Sequence, residues 1–289
     1  MITVRYREIL TTLAELDPWL DKLGIQPKRD RIHQALEIVQ RAEEGYRKFR
    51  ATREPTKIGN VGDFYFGLTE ALEFHDIFQA FQHERPERVR PKLERALSGP
   101  LRPEEETTKN ADARNVMFEL ALAAQLRLRG ADVIVGEPDL TLRLNGLLFF
   151  VECKRPFREE SIRPNVRNAA GQLRAKLDAN EGAAAMGIIA ISVSRIFNPG
   201  TKIFQAATES SKERLGDQLQ KMMFANERHW ARLDLHPRVV AVLFHVSTPG
   251  VVEDKDIITM MTYSTVTPVG KEGPAFSVLK EKLPPLFDR

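Results

Sequence analysis

Asn145-Gly146 constrains this chain more than any other pair of residues. It lies between two short strand-like stretches and suits a two-residue type I′ turn, in which both positions take positive φ. Residues 138–144 and 147–153 are therefore expected to form a β-hairpin. A turn of that length pairs Leu144 with Leu147, which in turn sets Asp139 opposite Glu152 and Glu137 opposite Lys154. Directly opposed Cβ atoms lie about 4.5–5.5 Å apart, and successive side chains alternate between faces. Leu140, Leu142, Leu144, Leu147, Phe149, Val151 and Cys153 then share an apolar face, and Glu137, Asp139, Glu152 and Lys154 share the other.

Two carboxylates held that close repel each other unless a proton or a cation intervenes. A hard divalent ion with oxygen ligands, Mg²⁺ above all, is the natural resolution. Lys154, two residues beyond Glu152 on the same face, is placed to neutralise developing negative charge or to orient an attacking water.

Pro138-Asp139 followed by Glu152-Cys153-Lys154 resembles the motif of the PD-(D/E)xK, or restriction-endonuclease-like, nuclease family. The resemblance covers roughly residues 112–194, under a third of the chain. It implies an αβββαβ core with a mixed sheet and a metal-dependent hydrolysis of phosphodiester bonds, with a DNA endonuclease as the first expectation. It further implies that Asp139 and Glu152 bind Mg²⁺ or Mn²⁺ with the Cys153 backbone carbonyl as a further ligand. Lys154 then positions water and stabilises the phosphorane-like charge, and Glu119 completes the site or holds a second ion. Gln172 resembles the helix glutamine of several branches, and Lys176 stands where some of them carry a tyrosine. Glu137 either holds Lys154 in place or substitutes as a ligand.

The surrounding pattern yields the order helix, three strands, helix, strand without reference to the motif. A helix over about 112–129 ends at Gly130, a strand covers 131–136, the hairpin follows, Pro164 to Asn180 form a helix, and the apolar run 186–194 suits a strand buried on both faces. Glu119 interrupts the apolar segment Val116–Ala124, so its carboxylate needs a partner, either the metal site or an arginine. A helix over about 207–230 and strands at 238–246 and 257–264 are expected to extend the same sheet. Residues 1–105 read as an all-α N-terminal domain, with helices near 3–23, 29–50, 62–84 and 87–97, and residues 106–289 as the nuclease-like α/β domain. The aromatic run Phe64, Tyr65, Phe66, Phe74, Phe78 and Phe81 is expected to pack between helices.

Composition narrows the remaining classes. The net charge of +3 is a small difference between 43 basic and 40 acidic residues, so global charge announces no polyanion. Between Lys154 and Lys176, however, seven basic residues face two acidic ones. Arg155, Arg158, Arg163, Arg167 and Lys176 are the expected nucleic-acid contacts, with a solvated helix face as the alternative. A single cysteine, Cys153, excludes an internal disulfide and a multi-cysteine zinc site. The six histidines lack metal-binding spacing, and no GxGxxG, Walker A or GxSxG pattern occurs. Neither a signal peptide nor an apolar stretch of membrane-spanning length is evident, so a soluble, cytoplasmic protein is expected. DNA is the expected partner, with RNA open to the same chemistry and the N-terminal helices offering a surface to a second copy or another protein. A non-cleaving nucleic-acid-binding or assembly subunit of the same fold is the alternative reading.

Overall fold

The computed structural model describes the chain apart from residues 1–9, 12, 26–30, 53–60, 101, 103–104, 108–109, 182–183, 200–203, 207–212, 253–256, 270–272, 284–285 and 287–289. The expected helical residues 3–9 and 207–212 fall outside the described residues, as do the side chain of Tyr65 and parts of the loop before residue 110. Among the described residues, helices α1 (Leu16–Lys22), α2 (Arg31–Thr52), α3 (Val61–Phe81) and α4 (Pro86–Leu97) precede α5 (Asp112–Arg127). Strands β1 (Asp132–Val135), β2 (Leu140–Leu144) and β3 (Leu147–Lys154) follow, then α6 (Ile162–Ala179) and β4 (Ala185–Ser192). The chain continues through α7 (Ser194–Phe197), β5 (Phe204–Ala206), α8 (Glu213–Asn226), α9 (Arg228–Ala231), β6 (Val239–Val252), β7 (Ile257–Pro268) and α10 (Pro274–Lys282).

The hairpin forms in the expected register. Asn145 and Gly146 take φ of 50° and 78°, and Leu144 pairs with Leu147, Leu142 with Phe149 and Leu140 with Val151. The seven strands make one mixed sheet: β1, β2 and β3 are antiparallel, β3, β4 and β6 run parallel, and β7 closes on β6 antiparallel. Ala241–His245 pair with β4 as well as β7, and Gly250–Val252 with β5 as well as β7. Strands β4 and β5 therefore lie in tandem along one edge of β6, and Val246–Pro249 have no strand partner on that edge among the described residues.

Helices cover both faces. One core joins the N-terminal helices and α5 to Leu140, Phe149, Val151, Ile188, Ala190 and Leu243 of the sheet. The other joins α6 and α8 to Phe150, Ile189, Ile191, Val242 and Phe244. Alternate residues of β4 thus enter opposite cores, which explains its unbroken apolar run. Helix α5 buries twelve side chains, including Glu119, and its C-terminus closes through Ala131 N–H donating to the Leu126 carbonyl (3.0 Å), with Gly130 at φ 86°. The aromatic run packs as expected where it is described, with Phe66, Phe74, Phe78 and Phe81 buried. No helix among the described residues is long and apolar enough to cross a membrane.

A buried ionic chain ties the N-terminal helices to the sheet. Arg31 of α2 meets Glu70 of α3 (2.8 Å), Arg114 of α5 donates to Glu70 (2.6 Å), and Glu106 receives Arg155, which follows β3 directly. Arg31 is 0% exposed, and burial pulls its pKa down to about 10. Burial opposes the charge of Glu70 as well, yet Arg114 and Arg31 hold its carboxyl below the usual range. Removing one member of such a group strands the others in a low-dielectric interior. Glu70→Ala is therefore expected to destabilise the protein by about 3–5 kcal/mol in urea unfolding, against about 0.5 kcal/mol or less for the exposed Arg163→Ala. A destabilisation by Glu70→Ala no larger than that by Arg163→Ala would show that the buried chain is not what couples these elements.

Candidate active site

Asp139 does not continue the β2 ladder. Pairing with β3 stops at Leu140–Val151, and residues 136–139 form the tight turn from β1 into β2, with a cis Glu137–Pro138 bond and Gly136 N–H donating to the Asp139 carbonyl at 3.2 Å. Pro138 has no N–H to give a ladder, so the chain turns there. The Asp139 carboxylate instead takes over where β2 ends, with Oδ2 accepting the Cys153 N–H at 2.8 Å. In an extended strand the N–H and C=O of one residue point to the same edge. The Cys153 carbonyl is therefore aimed at the Asp139 edge as well. The Cys153 side chain lies in the apolar core, where burial first, and then Asp139 and Glu119, push the thiol well above its ordinary pKa. It is a packing residue.

Glu152 projects from the opposite face of β3, towards α6, and is 1% exposed. Lys154 Nζ lies 3.4 Å from its Oε2 and 3.9 Å from Asp139 Oδ2. Lys176 of α6 lies 3.3 Å from Glu152 Oε1 and also pairs with Glu137. On the other side, Lys92 of α4 lies 3.8 Å from Asp139 Oδ1, donates to the Asp139 carbonyl at 3.3 Å and pairs with Glu119. Four carboxylates and three ammonium groups thus alternate in one row, Glu119, Lys92, Asp139, Lys154, Glu152, Lys176, Glu137. Glu137 holds Lys176 rather than Lys154. Lys92 is invisible to sequence reasoning, because nothing in the charged helix PERVRPKLERAL separates it from its solvated neighbours.

The charges in the row are unevenly solvated. Burial first, and Asp139 second, raise the carboxyl pKa of both Glu119 and Glu152. The hydrogen bond from Lys176 lowers that of the exposed Glu137. Burial works against the Lys176 ammonium, but Glu137 and Glu152 outweigh it and raise its pKa. Glu152 Oε1 makes no hydrogen bond of good geometry despite its burial. Among the described residues no group of three or more His, Cys, Asp or Glu side chains converges on a metal position, and Glu119 is paired with Lys92. What remains for a hard cation is two carboxylates, Asp139 and Glu152, and the Cys153 carbonyl. Mg²⁺ is commonly held by one or two carboxylates with water and substrate oxygens filling the other positions, and the donor set fits that mode.

The basic stretch is divided by the geometry of α6. Gln172 is exposed one turn before Lys176, on the flank that faces Glu152, with no hydrogen bond among the described residues. Arg163 and Arg167 are exposed on the opposite flank, where Arg163 lies near His229 and Arg174 reaches Asp234 at 3.1 Å. Arg158 is exposed in the connection before α6. Arg155 is turned inward and committed to Glu106, so it presents no guanidinium to a surface ligand. His245 is buried, donates or accepts at 2.8 Å with Ser264, and is kept neutral by burial, its pKa drawn down to about 3.

Comparison with protein-family models, with curated proteins and with solved structures finds no match to this chain.

Proposed function

We propose that the chain is a metal-dependent nuclease of the PD-(D/E)xK kind, hydrolysing phosphodiester bonds in DNA. The observation that carries this reading is the meeting of Asp139, Glu152 and Lys154 at the open end of the hairpin, with Lys154 Nζ lying between the two carboxylates. The order α5, β1, β2, β3, α6, β4 is consistent with the αβββαβ core of that family. Asp139, Glu152 and the Cys153 carbonyl would hold Mg²⁺ or Mn²⁺, which supplies Lewis-acid stabilisation of the charge that develops on the phosphate. Lys154 orients the attacking water and meets the same developing charge as a preorganised ammonium. Lys92 beside Glu119 and Lys176 beside Glu152 oppose the burial that raises these two carboxyl pKa values without cancelling it.

The assignment separates ligand from cation in one experiment. Asp139→Asn is expected to weaken Mn²⁺ binding in calorimetry and to abolish cleavage of plasmid DNA. Lys154→Ala is expected to lose cleavage by a factor of about 10² or more while binding Mn²⁺ as well as the wild type or better. The raised carboxyl pKa of Glu152, caused first by burial, means that protons compete with the ion there, so Mn²⁺ affinity should fall as the solution is acidified. Loss of Mn²⁺ binding in Lys154→Ala would make the lysine a structural partner only.

Arg158, Arg163 and Arg167 are the cations of the basic stretch that stay exposed with no carboxylate partner among the described residues, and we assign them to the phosphate backbone. Replacing all three with alanine is expected to flatten the dependence of log K on log salt by roughly 0.9 for each phosphate that no longer meets a guanidinium. An unchanged slope moves the nucleic-acid path to another face.

A further inference from the structure

A second polar cleft lies apart from the carboxylate row, at the carboxyl end of β4 and alongside the middle of β6. It exists because β4 ends at Ser192 and β5 resumes pairing only at Gly250, which leaves Val246–Pro249 of β6 without a strand partner on that edge among the described residues. The short helix α7 turns away there, and Ser194 Oγ accepts the Ser247 N–H (2.9 Å) and the Ser192 hydroxyl (3.2 Å) in place of a strand. Helices α3 and α5 form the opposite wall, and the cleft encloses about 700 Å³ with its open mouth included. Crevices beyond the carboxyl ends of parallel strands are where α/β sheets bind ligands.

Its charges are not balanced among the described residues. Arg155 and Arg195 both line the cleft, and Arg155, whose pKa burial lowers, is opposed further by the Arg195 charge. Arg155 is paired with Glu106, whereas Arg195 meets no carboxylate among the described residues. Its guanidinium lies over the Phe157 ring, 5.8 Å from the centroid, and donates to the Pro199 carbonyl at 2.5 Å, which fixes its direction and leaves donors to spare. Across the cleft Glu73 has no ion pair among the described residues. Burial first, and then Glu70, push its carboxyl up to about 7. The other charges that face Glu73 are Arg114, Arg31 and Arg155, and His245 is neutral.

We propose that this cleft binds a small ligand through an oxyanion group, phosphate or carboxylate, held by Arg195 beside the Ser192–Ser194 hydroxyl pair, with Arg155, already paired with Glu106, adding positive potential from the cleft wall. A guanidinium fork suits both anions. Glu73 sets its pH range: protonated, it tolerates the anion as a hydrogen-bond donor, and ionised, it repels it. The site uses none of the carboxylates assigned to catalysis, so the inference stands apart from the nuclease reading.

Calorimetric titration of the full chain with inorganic phosphate and with succinate, at fixed ionic strength in chloride, tests the site. Saturable binding of one anion per chain is expected. Binding of phosphate alone assigns a phosphorylated ligand, and binding of succinate alone assigns a carboxylate. Arg195→Ala is expected to weaken it about tenfold or more, while Asp139→Asn leaves it unchanged. Glu73→Gln is expected to tighten it, and with sulfate, whose charge is constant over the range, affinity should fall in the wild type as pH rises through 7 but not in Glu73→Gln. Should Arg195→Ala lose its thermal transition, Arg195→Lys keeps the charge without the fork and is expected to bind more weakly than the wild type. Absence of saturable binding by phosphate, succinate and sulfate, or wild-type affinity in the folded Arg195 variants, or no effect of Glu73→Gln, overturns the proposal.

Discussion

Burying the Glu152 carboxylate is the constraint around which the site is built. A carboxylate that is 1% exposed on a central strand needs compensation from every side. It receives Lys154 from its own strand and Lys176 from α6. Placing Lys176 there fixes which flank of α6 faces the sheet, and so which residues of that helix look outward. Asp139, at the turn before β2, is brought close by the hairpin register and brings with it Lys92 and Glu119. Three layers of the fold, the N-terminal helices, the sheet and α6, thus meet at one row of charges.

The parallel arrangement of β3, β4 and β6 directs the ends of all three strands the same way. Lys154 and Arg155 lie at the end of β3, Ser192 at the end of β4, and His245 and Ser247 along β6. Because successive residues face opposite sides of a strand, Lys154 serves the carboxylate row while its neighbour Arg155 enters the ionic chain beneath α3 and α5. One step of the backbone therefore separates the two polar regions of the molecule.

The hairpin is legible in the sequence because its information is local: a two-residue turn fixes register, and register fixes faces. The same holds for the alternation of helices and strands, and for β4, whose doubly apolar sequence needs two cores. What escapes sequence reasoning depends on tertiary placement. Hairpin register makes Asp139 a cross-strand partner of Glu152, but the prolyl turn takes it off the ladder and its carboxylate caps the Cys153 amide instead. The apolar surroundings of Glu119 call for a metal or an arginine, and its partner is Lys92, a lysine from a helix 27 positions away. Arg155 reads like the other basic residues after the hairpin, and only the position of Glu106 explains why it turns inward. The cleft beside β6 is invisible in sequence, because it is a gap between two strands that share an edge.

The alternating row has a property of its own. Each interior member touches an opposite charge on both sides, while Glu119 and Glu137 at the ends touch only one. Such a row behaves as a one-dimensional chain with nearest-neighbour coupling. Removing Asp139 or Glu152 cuts it into two segments of zero net charge, removing a lysine leaves two segments that each carry one excess negative charge, and removing an end merely shortens it. The energies of paired substitutions should accordingly depart from additivity most for adjacent members and approach additivity as the number of intervening members grows. Charge is thereby distributed along the row, and no single ion pair within it has a strength that can be assigned in isolation.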